Sequence, residues 1–504
     1  YEAMAESYLP LLAMLSRLED DGVGYKLLIS LSPTLASMME DSLLQERFAR
    51  YLGRIIRLAD REEARSAEGV RRRLARFHGD FYRDALFWFE EKCRRRVAKA
   101  FADLARLGNL EIITCGATHG FLPLLRQNPA SVRAQFLAAR ACHKSIFGAD
   151  ADGVWLPECA YYSGVERFMA EAGFSYSFLD AHGLENADIQ PERGLYAPIA
   201  TGEGVSFFGR DRETSRQVWS AEQGYPGDPC YREFYRDLGF ELPEADLGEF
   251  LVDGRIRVNT GLKFNRITSR QGGDKEPYDP GLARERAAQH AGHFLENRQR
   301  QVERLLPDLK GRPPLIVAPY DAELFGHWWF EGPRFLDYAL RKMHYDQDTV
   351  KCLSPSGYLR MFPDNQRANP AGSSWGGDGT SEFWVNADNQ DIIPGLHQAA
   401  DRMSETARLH SVPVPAESEA AFAWKAEAAR QMLRELMLAQ ASDWPFIMRT
   451  GTSPGYARSR VEEHLKRFWA ISQMLDRGRA DEAVLDAIRR TDNIFPECDL
   501  AWHV

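Results

Sequence analysis

The chain has 504 residues, which exceeds one compact core and predicts two or three domains, or one barrel with additions. The net charge of −10 disfavours general nucleic-acid binding, which favours a basic face. The seven cysteines are scattered and never in Cys-x-x-Cys spacing, which disfavours a disulfide framework or a zinc site and is typical of reduced thiols in a cytoplasm.

The first part of the chain alternates helical and strand-like patterns, which predicts a parallel α/β sheet or barrel. A helix is predicted over Tyr1–Leu18, and a long helical excursion rich in Arg, Glu and Ala over Arg61–Leu107. No apolar run reaches 18 residues and no signal peptide is visible, so we expect no membrane partner. Strands are predicted over Lys26–Leu31, Leu110–Cys115, Gly153–Leu156, Ser175–Leu179, Val205–Gly209, Leu315–Ala318 and Val350–Leu353.

The later part of the chain changes character. Two stretches, at about 181–204 and 224–260, hold turn residues and are long enough to predict functional loops. A segment rich in Gly, Asn and Ser, Gln366–Gly379, predicts a domain boundary. The sequence therefore predicts a catalytic domain over 1–375 and an α-helical domain over 376–504. In the second domain, helices are predicted over His397–Arg408, Ala416–Ala441 and Ser459–Leu475.

Two strand-like runs each end in a carboxylate. One run leads through Trp155 to Glu158, and the other leads to Asp321. Barrel enzymes place catalytic groups at the carboxyl ends of strands, and two facing acids are the machinery of glycoside hydrolysis. Two structural alternatives stay open, since Glu158 is also placed to cap the next helix and Asp321 to serve as an N-cap.

Other reactive residues lie beside these acids. His119 follows the strand Leu110–Cys115, where a histidine either contacts substrate or makes a structural hydrogen bond. Asp321, Glu323 and His327 have the ligand types of a metal site, although their spacing matches no strong metal motif. Cys159 is a candidate nucleophile, but no histidine follows at a useful spacing. No phosphate-binding loop, Gly-x-Ser-x-Gly or zinc signature is present, and we expect neither a cofactor nor a metal.

Several longer motifs resemble glycoside hydrolase family 57, and the C-terminal motifs resemble the 1,4-α-glucan branching enzymes of that family. The resemblance covers nearly the whole chain, from Tyr1 to about Pro496. It implies an incomplete (β/α)7 barrel, a helical insertion at about 61–107, and an α-helical C-terminal domain that contributes to the substrate cleft. The matching motifs are Ala117–Leu125, Trp155–Tyr161, Gln217–Ser220, Gly224–Gly227, Tyr231–Tyr235, Pro319–Trp329 and Ser442–Phe446.

The resemblance also implies residue roles. Glu158 is the expected nucleophile and Asp321 the expected general acid/base of a retaining mechanism on an α-glucan such as amylose, amylopectin or glycogen. Branching and hydrolysis then differ only in whether a 6-hydroxyl or water takes the glucosyl group from Glu158. Stacking platforms are expected at Trp219, Trp375 and Trp384. Further sugar contacts are expected from His119, Trp155, Glu323, His327, Trp328, Asp443 and Trp444.

Two departures from the family pattern bear on the reaction. Similar enzymes begin with a strand that carries a His-x-His-x-Pro motif, which we expect to lie before Tyr1. Branching relatives carry a tyrosine at the tip of a mobile loop, where this chain has Pro191–Gly194. Arg193 and Tyr196 are the candidates for that loop, and a lid without its tyrosine admits water and favours hydrolysis.

Four functions therefore stay open from sequence. A branching enzyme fits the motifs best, and a hydrolytic α-amylase or a 4-α-glucanotransferase of the same family is the first alternative. A catalytically idle glycan-binding protein is the second alternative, and a deacetylase-like metal enzyme is the third. The sequence gives no oligomeric state and no transferred chain length.

Overall fold

The computed structural model describes residues 1–220, 223–269, 273–309, 311–377, 379–412 and 418–504. Its strands form a sheet of order β1-β2-β3 and a sheet of order β4-β6-β5-β7. All pairs are parallel except β5 with β6. The strands are β1 (Leu27–Ser30), β2 (Leu110–Cys115), β3 (Val154–Trp155), β4 (Tyr176–Leu179), β5 (Ile199–Ala200), β6 (Ser206–Gly209) and β7 (Gln366–Arg367).

One parallel bridge, between Gly153 and Tyr176, joins β3 to β4 and so connects the two sheets. A second parallel bridge, between Arg210 and Val317, adds the segment that leads to Asp321 beside β6. The carboxyl ends of β2, β3, β4 and β6 therefore meet at one edge, which is where parallel α/β folds place their sites. β4 and β6 are buried at every position, which explains their mainly apolar sequences. The predicted parallel α/β organisation is confirmed.

The sequence misplaced some strands. Val350–Leu353 is not a strand but an unpaired connection into the helix Pro355–Met361, so this prediction is wrong. Leu315–Ala318 contributes a single bridge, at Val317. The two-residue strands β5 and β7 were not predicted. An apolar run indicates burial, whereas strand pairing also depends on partners that lie far away in sequence.

Helices surround the sheets and fill most of residues 33–105. The helical excursion therefore starts well before Arg61, and the predicted N-terminal helix is split into a π-helical turn (Met4–Tyr8) and α1. The helices of this part are α1 (Leu9–Asp20), α2 (Pro33–Glu40), α3 (Ser42–Arg65), α4 (Val70–Phe87), α5 (Val97–Ala105), α6 (Leu122–Leu125), α7 (Pro129–Phe147), α8 (Val165–Glu171), α9 (Ala181–Glu185), α10 (Arg212–Trp219), α11 (Leu238–Glu241), α12 (Glu244–Leu247), α13 (Pro280–Leu305), α14 (Gly332–Tyr345) and α15 (Pro355–Met361).

The C-terminal part is helical, as the sequence predicts. Its core packs through the small side chains of Ala134 and Ala138 onto α7. We propose that the domain boundary lies between β7 and α16; Asp378 of the predicted boundary segment lies outside the described residues, as does the predicted helix start at Ala416. The helices are α16 (Ile393–His410), α17 (Glu419–Ala439), α18 (Asp443–Thr450), α19 (Pro454–Asp476) and α20 (Glu482–Thr491). Among the described residues, no helix combines the length and the apolar character needed to cross a bilayer.

Candidate active site

Glu158 lies just beyond β3 in a strained turn that points its carboxylate at two donors. Its φ of 63° is in the left-handed region, which a non-glycine residue adopts only when its surroundings hold it there. The Trp375 amide donates to the Glu158 carbonyl at 2.9 Å and its indole Nε1 donates to Oε2 at 2.9 Å. The Ser442 hydroxyl donates to Oε1 at 3.0 Å. The carboxylate is therefore held by side chains and does not cap a helix.

His119 follows β2 and contacts the same carboxylate. Its Nδ1 lies 2.8 Å from the Ser442 hydroxyl and 3.6 Å from Oε1 of Glu158. Because the Ser442 proton goes to Glu158, the imidazole Nδ1–H donates to Ser442. Burial disfavours the imidazolium, but the Cys115 sulfur and the carboxylates of Glu158 and Asp443 outweigh it and raise the pKa of His119 to about 10. A cation therefore lies beside the predicted nucleophile.

Asp321 is the second carboxyl group of the site, and its electrostatic environment differs. Burial and the neighbouring Glu158 carboxylate raise the pKa of Asp321 to about 6, against the opposing charges of His119 and Arg210. Asp321 precedes a 3-10 turn (Ala322–Leu324), but its side chain makes no capping hydrogen bond. The N-cap alternative is therefore not supported. Glu158 accepts from two donors, and Asp321 holds its proton to a higher pH than an ordinary aspartate, which is the division that acid/base chemistry needs.

Arg210 and Asp180 are site residues that the sequence analysis missed. They directly follow β6 and β4, and Arg210 NH1 donates to Asp180 Oδ2 at 3.2 Å. The guanidinium lies 5.4 Å from the centroid of the Trp375 ring. A charged residue immediately after a buried strand was the signal that identified Glu158, and the same signal was present here.

Four of the six tryptophans expected near the sugar lie in different surroundings. Trp155 and Trp375 form one wall of the site, with ring centroids 4.9 Å apart. Trp219 ends α10 and is 45% exposed. Trp384 is only 1% exposed and stacks on Phe121 at 4.5 Å. The structure does not support Trp384 as a stacking platform, because neither face of its ring is open to a ligand.

Glu323 and His327 face the N-terminal helix. The Tyr8 hydroxyl donates to the Glu323 carboxylate, and His327 Nδ1 lies 3.2 Å from Glu6 Oε2. Gly326 allows this close approach, since a Cβ there would lie 1.8 Å from the Glu6 carbonyl oxygen. The alternative in which Glu323 and His327 join Asp321 around a metal is not supported, because their side chains bind different partners. The neighbouring Trp328 is half-exposed and stacks on Phe234, with ring centroids 4.5 Å apart.

A buried ion pair fixes the helix that His327 contacts. Arg232 NH1 lies 2.9 Å from Glu6 Oε1, and both side chains are buried. Burial opposes ionisation, but Arg232 and His327 outweigh it and lower the pKa of Glu6 to about 2. Because the pKa of Glu6 is lower in the folded protein than in the unfolded chain, the ion pair stabilises the fold fully at any pH above the ordinary carboxyl pKa. This stabilisation is lost as the pH falls through about 2.

Arg232→Met is expected to destabilise the fold by about 3–5 kcal/mol, because it leaves a buried carboxylate unpaired. The measurement is the thermal unfolding midpoint at neutral pH. The matched control is Arg57→Met, which removes an exposed pair with Glu249 and is expected to cost about 0–1 kcal/mol. Equal shifts in the two variants would contradict the buried pair.

Asp443 and Trp444 lie at the start of α18, next to Ser442. The Asp443 carboxylate acts on the pKa of His119, which places it beside the site. Trp444 donates from Nε1 to the Leu438 carbonyl at 2.8 Å and meets the ring of Tyr456, so it packs within its own helical region. Of the two, Asp443 lies nearer to the nucleophile, and its contact with sugar stays a prediction.

Arg193 and Tyr196, the candidates for a lid, contact the segment that leads towards Asp321. Arg193 Nε donates to the Leu309 carbonyl at 3.4 Å, and the Tyr196 carbonyl accepts from the Leu315 amide at 2.9 Å. Leu315 begins the extended segment that ends near Asp321. The structure does not place either residue over Glu158.

Cys159 is a poor candidate nucleophile. Its side chain is fully buried, and burial raises the pKa of its thiol well above the ordinary value. The thiolate that a nucleophilic mechanism needs is therefore strongly disfavoured at neutral pH.

The group with the closest metal-ligand geometry among the described residues lies in the C-terminal helices. It comprises Glu435, His464 and Asp492, whose ligand atoms lie within 4.8 Å of one another. Arg460 already bonds to His464 Nε2 at 3.1 Å, and Arg467 to Asp492 at 2.6 Å. His464 Nδ1 lies 2.7 Å from Glu435 Oε2, so the three residues and the two guanidinium groups form a buried hydrogen-bond network.

Comparison with known proteins agrees with this geometry. The family model of glycosyl hydrolase family 57 matches residues 1–369. The chain belongs to glycosyl hydrolase family 57. A second family model, for the C-terminal region of 1,4-alpha-glucan branching enzymes, matches residues 395–503 of this family 57 chain. Both resemblances identified in the sequence motifs are confirmed.

The relatives of this family 57 chain match over nearly its full length. The 1,4-alpha-glucan branching enzyme TK1436 of Thermococcus kodakarensis is 31% identical over 98% of this chain and 73% of its own. The structure of the α-amylase AmyC from Thermotoga maritima has a TM-score of 0.90 and 38% identity over 100% of this chain and 93% of its own. The GH57-type branching enzyme of Pyrococcus horikoshii has a TM-score of 0.87 and 31% identity over 100% and 91%. The predicted fold class is confirmed.

In this family 57 chain, Ser442→Ala is expected to lower kcat by roughly 10- to 100-fold, since a hydrogen bond to a charged group contributes about 1.5–3 kcal/mol. The variant removes both the donor to Glu158 and the acceptor for His119. The measurement is the initial rate on amylose. Ser459→Ala, which removes an exposed hydroxyl from α19, is the control, and an equal rate in both variants would show that Ser442 is not needed.

Proposed function

We propose that the protein is a retaining 1,4-α-glucan branching enzyme with Glu158 as nucleophile and Asp321 as general acid/base. The observation that carries this proposal is the unequal pair of carboxyl groups at one sheet edge. Glu158 accepts hydrogen bonds on both oxygens, from Trp375 and Ser442. Burial and Glu158 raise the pKa of Asp321 to about 6.

The first chemical step uses both groups. Asp321 donates its proton to the glycosidic oxygen of an α-1,4 linkage while a Glu158 oxygen attacks the anomeric carbon. The bond from that carbon to the leaving chain breaks, and a covalent glycosyl ester on Glu158 forms with inverted configuration. The leaving chain departs as an alcohol, and Asp321 is left as a carboxylate.

The second step reverses the roles. Asp321 takes a proton from the 6-hydroxyl of an acceptor glucan, whose oxygen attacks the anomeric carbon and releases the Glu158 carboxylate. Two inversions give an α-1,6 branch with net retention. Water in place of the 6-hydroxyl gives hydrolysis, so exclusion of water by the aromatic wall of Trp155 and Trp375 favours transfer.

The relatives support an α-glucan as donor and acceptor. The branching enzymes TK1436 and its Pyrococcus horikoshii counterpart resemble this chain across the barrel and the C-terminal helices. The C-terminal region that matches the branching-enzyme model contains Ser442, which contacts the proposed nucleophile directly. The helical domain is therefore part of the proposed catalytic site.

A hydrolytic α-amylase is the second candidate, and two observations favour it. The α-amylase AmyC shares 38% identity and a TM-score of 0.90 with this chain. The lid candidates Arg193 and Tyr196 bind Leu309 and Leu315, and the structure does not place either of them over the nucleophile. Both candidate enzymes use the same two carboxyl groups.

Incubation of the enzyme with amylose separates the two candidates. Branching is expected to create α-1,6 linkages, measured as new short chains after treatment with a debranching enzyme, with few new reducing ends. Reducing ends without debranchable chains would establish the amylase and overturn branching. Binding of amylose without either product would point to the idle glycan-binding protein.

A cytoplasmic location is part of the same proposal. All seven cysteines are unpaired, and six of them are buried. Reduced thiols are the ordinary state in a cytoplasm, and this supports a location where α-glucan is stored inside the cell.

A further inference from the structure

His182 lies between two hydrogen-bond acceptors at the edge of the site. Its Nδ1 is 3.3 Å from Oδ1 of Asp180, and its Nε2 is 3.3 Å from the carbonyl oxygen of Gly379. A carboxylate and a carbonyl only accept, so a ring nitrogen that bonds to either one is the donor. The proposed reaction does not use this side chain.

Gly379 belongs to the same short loop as Trp375. At the Trp375 end, the backbone amide and the indole both donate to Glu158. At the other end, Gly379 has a φ of 82°, and a Cβ there would lie 2.5 Å from the His182 ring. The loop is therefore fixed at one end by the proposed nucleophile and at the other by His182.

A second link joins Asp180 to the Trp375 ring. Arg210 donates to Asp180 Oδ2 at 3.2 Å, and its guanidinium lies 5.4 Å from the Trp375 ring centroid. Asp180 therefore contacts two side chains, one that holds the loop backbone and one that lies against the indole. All three side chains are partly buried, which strengthens their interactions.

We propose that His182 is a positioning residue that holds the Gly379 carbonyl, and through it the Trp375 indole, in place to donate to Glu158. The proposal rests on the proposed function in taking Glu158 as the nucleophile. Asp180 and Arg210 support the arrangement, Asp180 by orienting the imidazole ring and Arg210 by contacting the indole. His182 itself does not touch the reacting atoms.

The test is His182→Phe, which keeps a planar ring and removes the two ring nitrogens that contact Asp180 and Gly379. We expect kcat on amylose to fall roughly 10- to 100-fold, as for loss of one hydrogen bond to a charged group, while KM changes less than about threefold. In enzyme labelled with 5-fluorotryptophan, the fluorine resonance of Trp375, assigned by its loss in Trp375→Phe, is expected to move. His182→Gln keeps an N–H donor and is expected to restore most of kcat.

The control is His397→Phe, which removes a half-buried histidine whose Nε2 contacts the Leu124 carbonyl at 3.2 Å. It is expected to keep wild-type kcat and an unmoved Trp375 resonance. An unmoved resonance with kcat within twofold in His182→Phe would overturn the proposal. If His182→Phe does not fold, Asp180→Asn takes its place, and an unmoved Trp375 resonance in that variant would overturn the proposal. If wild-type enzyme turns over no glucan, the proposed function fails, and the resonance still tests the positioning of Trp375.

Discussion

Glu158→Gln is expected to abolish both chain transfer and hydrolysis, with kcat lowered by roughly 10⁴-fold or more. The amide that replaces the carboxylate cannot attack the anomeric carbon, and both reactions pass through the same glycosyl ester. The side chain keeps its size and its place between Trp375 and Ser442, so the fold and amylose binding are expected to remain. The measurement combines release of reducing ends with formation of debranchable chains.

Glu166→Gln is the matched control for this variant. Glu166 is also buried, and its Oε2 accepts from the Tyr161 hydroxyl at 3.1 Å, outside the proposed machinery. This variant is expected to keep kcat within about threefold of the wild-type value, because a structural carboxylate outside the site takes no part in the transfer. More than a hundredth of wild-type kcat in Glu158→Gln, confirmed free of wild-type enzyme, would show that another residue attacks the sugar.

The alkaline limb of kcat/KM is expected near pH 6. Asp321 has to carry a proton in the first step, and its pKa is raised to about 6, so the rate falls as the pH rises through that value. The pKa of His119 is raised to about 10, so the titration of His119 lies well above this limb. The alkaline limb of kcat/KM belongs to the free enzyme and is therefore expected to report the pKa of the general acid, Asp321.

Arg210→Gln is expected to move this limb to higher pH. The Arg210 charge lowers the pKa of Asp321, and its removal lets burial and Glu158 raise that pKa further. Arg212→Gln, in which an exposed arginine loses its pair with Glu185, is expected to leave the limb in place. If the alkaline limb in Arg210→Gln stays at the same pH or moves to lower pH, Asp321 is not the group that produces it. This holds whatever the maximum value of kcat/KM in the variant.

The sequence predicted the two acids because their signal is local. A short apolar run followed by a carboxylate predicts a group at the carboxyl end of a strand. Glu158 follows β3, and Asp321 follows the segment that forms the single bridge at Val317. Asp180 and Arg210 carry the same local signal after β4 and β6, but they lie outside the motifs that resemble the family.

Other parts of the site depend on contacts that no local pattern contains. Ser442 is a small polar residue near the end of the chain, and its importance comes only from packing of the helical domain against His119 and Glu158. Trp384 was misjudged because a tryptophan in a loop is buried or exposed according to what packs on it, here Phe121. Arg193 and Tyr196 are predicted from loop alignment, which does not fix the residues that a loop contacts.

The most direct test of the account is covalent trapping of the glycosyl-enzyme. A maltosyl fluoride that carries a further fluorine on the reacting ring slows release of the sugar more than its attachment, so the ester accumulates. Peptide mass spectrometry is expected to find one added glycosyl group on Glu158. A label on Asp321 or on another residue, or turnover of the donor without any label, would contradict a retaining mechanism at Glu158.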